Sequence, residues 1–203
     1  MAEMMYREAL NRALFEEMER DPLVFVMGEG IAERGGSYKV TEGLLKKFGP
    51  ERTIDTPLAE ATFTGAGVGA ALVGARPIVE ILFVDFTTIP MDMIVNQAAK
   101  YEFMSGGQGR VPMVLRTQGG VGSGIAAQHS QSLEAIFYHI PGLKLVMPSS
   151  PYDACGLLNL PFAMTIRSSL SNTSCFTRPR AKFPSRSTSF PLALRTSNGA
   201  VTM

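Results

Sequence analysis

Tryptophan is absent from this chain, and cysteine occurs only twice, as Cys155 and Cys175. Two such cysteines make neither a zinc-site spacing nor a disulfide framework. No apolar run is long enough to span a bilayer, so a membrane is not an expected partner. The opening stretch AEMMYREALNRALFEEMERD is charged and amphipathic, unlike a signal peptide. There is no basic stripe and no base-reading motif, which argues against nucleic acid. GAGVG at 65–69 and GGVGSG at 119–124 both miss the G-x-G-x-x-G spacing. No Lys-Ser/Thr pair follows GGVGSG, so neither a Rossmann fingerprint nor a P-loop is expected. Acids are missing from the end of the chain: every Asp and Glu lies at or before Asp153. The net charge of +1 therefore hides an acidic head and a basic tail with Arg167, Arg178, Arg180, Lys182, Arg186 and Arg195.

The stretch that organises the chain is TIDTPLAEATFTGAGVGAALVGARP, Thr53 to Pro77. Asp55, Thr56 and Pro57 read as a helix start. Gly65, Gly67, Gly69 and Gly74 follow among alanines. Glycine in a helix interior costs about 1 kcal/mol against alanine, so several together suggest close packing against the backbone. Glu60 is the one charge in this apolar setting. It is either a first-turn acid favoured by the helix dipole or a carboxyl held in an apolar pocket to raise its pKa. The local sequence leaves both open.

Apolar spacing predicts an amphipathic helix over residues 3–20 and a buried strand from Leu23 to Met27. Glu29 follows that strand, where α/β sheets place functional groups, although a solvated loop acid fits equally. A short helix is expected from Thr41 to Phe48, a strand from Pro77 to Val84 and a helix from Phe86 to Met104. Val111 to Arg116 reads as a strand, Gln118 to Gln128 as a glycine-rich loop and Ser130 to Tyr138 as a helix. Leu143 to Met147 reads as a strand, and a helix opens at Ser150 and Pro151. The alternation predicts an α/β fold: a parallel sheet with helices on both faces.

DTPLAEATFTGAGVGAA, with GGSYKVTEGL, FGPERTIDTPLAE, FVDF, NQAAK, AAQHSQS, PGLKLVMPS and PYDA, carries a family resemblance. From about Tyr6 to Leu158 the chain resembles the beta subunit of the first component of 2-oxoacid dehydrogenase complexes. Those enzymes use thiamine diphosphate. The resemblance implies a transketolase-like pyrimidine-binding domain over residues 1–158. It implies that Glu60 is the catalytic carboxyl that hydrogen-bonds the aminopyrimidine, which shifts Glu60 toward the pocket reading. Phe86 and Leu58 would pack against that ring, and Glu29 would lie at the cofactor. His129 would be catalytic, stabilising charge on the bound 2-oxoacid or aiding acyl transfer to lipoamide. His139, in YHIPG, reads as structural. Asp92 matches an acid some relatives use in a proton path between paired sites, but the companion acid there aligns with Ile89.

No GDG followed by an NN pair is present, so this chain is expected to hold no metal ligand. The diphosphate half of the site, with its magnesium, would come from an alpha subunit in a heterotetramer. The further implied partners are a lipoyl acyltransferase component and a small 2-oxoacid, pyruvate or acetoin type. The implied location is the cytoplasm of a bacterium or the mitochondrial matrix of a eukaryote. The competing readings are a non-catalytic α/β binding or regulatory domain, an inactive truncated subunit, and a transketolase-type ketol transfer. The last is disfavoured because those enzymes normally carry both cofactor halves on one chain.

After Leu158 the strand-helix rhythm stops. Family-like codons for Ala-Ile-Arg-Asp-Asp-Asn, read one base late, give Pro-Phe-Ala-Met-Thr-Ile, which are Pro161 to Ile166 here. Residues from about Asn159 to about Gly199 are accordingly expected to be a frame-shifted reading, with a natural Ser/Arg-rich tail as the alternative; either way 159–203 is expected to be poorly ordered and without a clear strand. The family's potassium site, built around the replaced segment, is expected to be lost, and its C-terminal domain to be absent.

Overall fold

The computed structural model describes residues 2–120, 124–158, 165–170 and 181–183. In chain order the elements are β1 (Ala2–Met4), α1 (Tyr6–Arg20), β2 (Val24–Gly28), α2 (Leu44–Phe48), β3 (Thr53–Asp55), α3 (Glu60–Leu72) and β4 (Arg76–Glu80). A 3-10 turn (Val84–Thr88) and a π-helical segment (Met93–Ala98) lead to α4 (Tyr101–Met104). Then come β5 (Val114–Gly119), α5 (Glu134–Tyr138), β6 (Lys144–Val146), α6 (Pro151–Leu158), β7 (Thr165–Leu170) and β8 (Ala181–Phe183).

Six strands form one sheet in the order β3-β2-β4-β5-β7-β6, and all its pairs are parallel. A parallel sheet must be covered on both faces, and its strands are apolar on both sides. The register shows how the alternation is used. Val24, Val26, Ile78 and Val114 join the core formed with Ala9, Leu14 and Met18 of α1 and Ala154, Cys155 and Leu158 of α6. Met27, Val79 and Leu115 enter the other core, with Phe63 and Val68 of α3, Ile94 and Phe137. Fully burying one such side chain is worth about 1.5–3 kcal/mol, so these two layers dominate the stability. Cys155 is part of the first core. Burial is the main reason its thiol is pushed up to about 12, which leaves it a small inert hydrophobe.

Gly67 sets how close α3 lies to the sheet. A Cβ there would stand 2.6 Å from Val79 Cγ2 and 3.2 Å from Met113 Sδ. Gly65 meets Met93 Sδ at 3.2 Å in the same sense, while Gly69 and Gly74 face open space. Arg52 ties the start of the sheet to the end of α1: its Nη2 donates to the carbonyl oxygens of Met18 and Asp21, each at 2.8 Å, and its Nε to that of Val24 at 2.9 Å.

Several expected elements differ. The helix expected to open at Pro57 begins at Glu60, because Thr53–Asp55 pairs with β2 as a strand. The single helix expected from Phe86 to Met104 is divided into a 3-10 turn, a π-helical segment and α4. Pro90 has no N–H to continue a helix, and Thr87 and Thr88 hydroxyls donate back to the carbonyls of Val84 and Asp85. The Ala99 N–H then reaches the Ile94 carbonyl, the wider π pattern. The expected strand Pro77 to Val84 stops at Glu80, and the expected helix Ser130 to Tyr138 is only Glu134–Tyr138.

Past Leu158 the sequence shows no clear strand, yet Thr165–Leu170 is one. It pairs in parallel with β5 from Val114↔Thr165 to Gly119↔Leu170, and with β6 from Lys144↔Thr165 to Val146↔Arg167. A parallel strand between two others is selected by its long-range pairing, and propensity gives little warning of it. Ala181–Phe183 pairs antiparallel with β1. The rest of the expected tail, with residues 159–164 where the potassium site was expected, lies outside the described residues.

Candidate functional site

In an open α/β sheet, functional groups gather at the carboxyl ends of the strands. Each expected site residue follows one of those ends. Glu29 comes directly after β2, Glu60 after β3, Phe86 after β4 and His129 after β5. The register keeps these ends level, with Gly28 opposite both Asp55 and Glu80. Gly28 itself admits no side chain, since a Cβ would lie 2.6 Å from the Glu80 carbonyl oxygen.

The loop that carries Glu29 is fixed on three sides. Asp55 Oδ1 accepts the Ala32 N–H at 2.7 Å and its Oδ2 the Glu33 N–H at 3.3 Å. The Thr41 hydroxyl donates to the Ile31 carbonyl at 2.6 Å. Glu80 Oε1 lies 3.6 Å from where a Gly36 Cβ would stand. Glu80 also pairs with Arg116 Nη2 at 2.5 Å, both side chains buried on neighbouring strands. A buried pair of this kind fixes geometry more reliably than it adds stability.

Glu29 and Glu60 form the acidic half of the site. Glu60 is buried at the first position of α3. Glu29 is half-buried, and its Oε1 is buried with no hydrogen-bond partner. Burial pushes the Glu29 carboxyl above its ordinary value of 4.5, and the negative charge of Glu60 adds to the push. An orphaned carboxyl oxygen beside a second buried acid is suited to a ligand group that shares a proton.

Phe86 and His129 form the aromatic half. Their rings meet edge to face with centroids 5.1 Å apart, and Phe83 makes the same kind of contact with His129 at 5.1 Å. His129 is thereby held half-buried between two phenyl rings. Leu58 stands apart: it is 83% exposed and projects from the loop between β3 and α3. Asp92 is exposed and accepts hydrogen bonds from Asn96 Nδ2 at 2.7 Å and Gln97 Nε2 at 3.4 Å. Ile89 is exposed as well, and His139 is exposed at the end of α5.

The sequence reading passed over Asp85 and Gln131. Asp85 Oδ1 accepts both the backbone N–H of Gln131 at 3.2 Å and its Nε2 at 2.9 Å. Both residues lie inside quoted motifs, FVDF and AAQHSQS, and that was the available signal. Among the described residues, no group of three or more His, Cys, Asp or Glu could hold a metal ion.

The family described as "Transketolase, pyrimidine binding domain" matches residues 2–184. The chain belongs to that family. The match runs beyond Leu158, in keeping with β7 as a member of the sheet. The chain is 53% identical over 156 residues to "Pyruvate dehydrogenase E1 component subunit beta-1, mitochondrial" of Oryza sativa subsp. japonica, covering 77% of this chain and 42% of the relative. It is 56% identical over 152 residues to "Pyruvate dehydrogenase E1 component subunit beta" of Rickettsia bellii, covering 75% and 47%. It is 51% identical over 158 residues to "2-oxoisovalerate dehydrogenase subunit beta" of Bacillus subtilis, covering 78% and 48%. The chain thus spans less than half the length of these relatives. A solved structure, "Split gene transketolase, inactive beta4 tetramer", shares the transketolase pyrimidine-binding fold with a TM-score of 0.63. It has 18% identity and covers 84% of this chain and 53% of its own. Among the described residues no helix is long and apolar enough to cross a membrane.

Proposed function

We propose that this chain is the pyrimidine half of a thiamine-diphosphate-dependent 2-oxoacid dehydrogenase, of pyruvate type, acting with an alpha subunit. The observation that carries the reading is the unpartnered, buried Oε1 of Glu29 beside the buried Glu60, at the carboxyl edge of the sheet. Identity to beta subunits of pyruvate and 2-oxoisovalerate dehydrogenases supports it. When bound, the cofactor would supply a carbon nucleophile toward the keto carbon of the substrate and a cationic ring as the sink for the electrons left by departing CO2.

The chain's own residues do the rest. Glu60 would hold a proton at its carboxyl toward the aminopyrimidine. Glu29 would restrain the charge of Glu60 and share that proton. Phe86 would give a flat apolar face that excludes water from the ring, and exposed Leu58 would close against it once the partner is in place. His129 would hold or deliver a proton at the reacting carbonyl, or aid acyl transfer to lipoamide on a lipoyl acyltransferase component. Magnesium and the diphosphate would be held by the alpha subunit, so the chain alone would have no turnover. The compartment would be the bacterial cytoplasm or the mitochondrial matrix; the rice relative is named as mitochondrial. Because a split-gene transketolase exists, division between chains does not itself argue against ketol transfer; the 51–56% identity to dehydrogenase beta subunits does.

The test is coexpression with an alpha subunit of a pyruvate dehydrogenase E1 component, then decarboxylation of pyruvate. Glu60→Gln is expected to lower kcat by about 10²–10⁴-fold with an unchanged melting curve, the range for losing a proton-transfer group. Full activity in that variant, or turnover of ketol donors alone by the wild type, would overturn the reading.

A further inference from the structure

We propose that Asp85 is the positioning residue for His129. It rests on the reading above only for the chemical use of His129. Asp85 precedes Phe86 in the 3-10 turn after β4, and Gln131 follows His129 by two residues in the loop after β5. These two segments have no covalent nearness, since Asp85 and Gln131 are 46 residues apart. Asp85 Oδ1 accepts two N–H groups, at 3.2 and 2.9 Å, and both belong to Gln131.

Gln131 is also engaged through its backbone acceptor. Its carbonyl oxygen accepts the Gly120 N–H at 2.8 Å. Gly119 leaves the room this needs, because a Cβ there would lie 2.4 Å from Val84 Cγ1 and 2.9 Å from the Gln131 oxygen. Gln131 is thus clamped from the β5 side by Gly120 and from the turn side by Asp85. Asp85 is buried, and its second oxygen has no partner, so the carboxylate spends its accepting capacity on one residue. A charge-assisted acceptor is roughly twice as strong as a neutral one, which suits it to hold a loop against solvent. The clamp fixes the segment that seats the imidazole between Phe83 and Phe86. Catalysis is sensitive to misplacement of a group by about 1 Å, so kcat depends on the clamp even though Asp85 touches no reactant.

The chain has two histidines, so the imidazole resonances of the full 203-residue protein are assigned by comparing His139→Gln with the parent. The expected parent spectrum has His129 displaced by the ring currents of Phe83 and Phe86. Asp85→Ala is expected to move it to the position of exposed His139, while core methyl resonances stay in place. Asp85→Asn, which keeps a carbonyl acceptor, is expected to restore it. With an alpha subunit, Asp85→Ala should lower kcat about 10–100-fold and leave KM for pyruvate within about twofold. Should Asp85→Ala fail to fold, Gln131→Leu decides: it removes the side-chain donor at a surface residue and should shift His129 in the same direction. An unmoved His129 resonance in whichever of these variants folds overturns the proposal. A displaced resonance in a wild-type complex without decarboxylase activity sinks the functional reading and leaves the positioning role standing.

Discussion

Glu29 gives the site its expected response to pH. Its carboxyl sits above 4.5 in the folded chain, first through burial and then through the charge of Glu60. The folded state therefore binds this proton more tightly than the unfolded state does. Its contribution to stability is present in full below about 4.5 and is lost as pH rises through the folded pKa. Glu29→Gln is expected to flatten the fall in Tm across the window that opens at about 4.5, as read by thermal melts in buffers of constant ionic strength. An unchanged slope would show that Glu29 is as solvated as an ordinary loop acid. At this scale the sequence was legible in position only: Glu29 follows the strand expected before it, whereas Glu60 follows a strand, β3, where the sequence reads as a helix start. The grip of Asp85 on Gln131 was not legible, because a bond across 46 residues leaves no periodic trace.

Among the elements, α3 offers a paired comparison at two glycines of one helix. Gly67→Ala would drive a Cβ to 2.6 Å from Val79 Cγ2, and overpacking of this kind costs about 1–3 kcal/mol. Gly69 faces open space, so Gly69→Ala should instead stabilise by about 0.5–1 kcal/mol through helix propensity. Chemical denaturation of both variants checks the signs. Equal effects would mean that α3 does not lie where it is placed here. The small-residue run in the sequence announced a close approach, and Gly67 is where it occurs. Which glycine needed the space could not be read, since that depends on the facing strand. The broken stretch from Val84 to Met104 was misread for a related reason. Its apolar spacing is helical, but the local competition from Pro90 and two threonine hydroxyls decides the backbone.

For the molecule as a whole, residues 165–170 are the surprise. A chain ending at Leu158 would leave β6 without its sheet neighbour and the flank of β5 unpaired from Val114 to Gly119. Backbone hydrogen bonds net about 1 kcal/mol each, so the loss should exceed roughly 4 kcal/mol and lower Tm by about 10 °C or more. Circular dichroism melts of the 1–158 fragment beside the full chain measure this. A fragment that melts with the parent would mean that β7 adds nothing. The parallel sheet and its two covered faces were legible from alternation alone. The sixth strand was not, because its sequence lacks the long apolar run typical of a strand covered on both faces.

The place of β7 also orders events in time. The last strand of the six-stranded sheet to leave the ribosome is an interior one, and β6, made earlier, can only wait for it. Until Leu170 has cleared the exit tunnel, synthesis holds an open flank on β5 that any passing strand could occupy, which makes the interval between β6 and β7 the one in which a chaperone matters most.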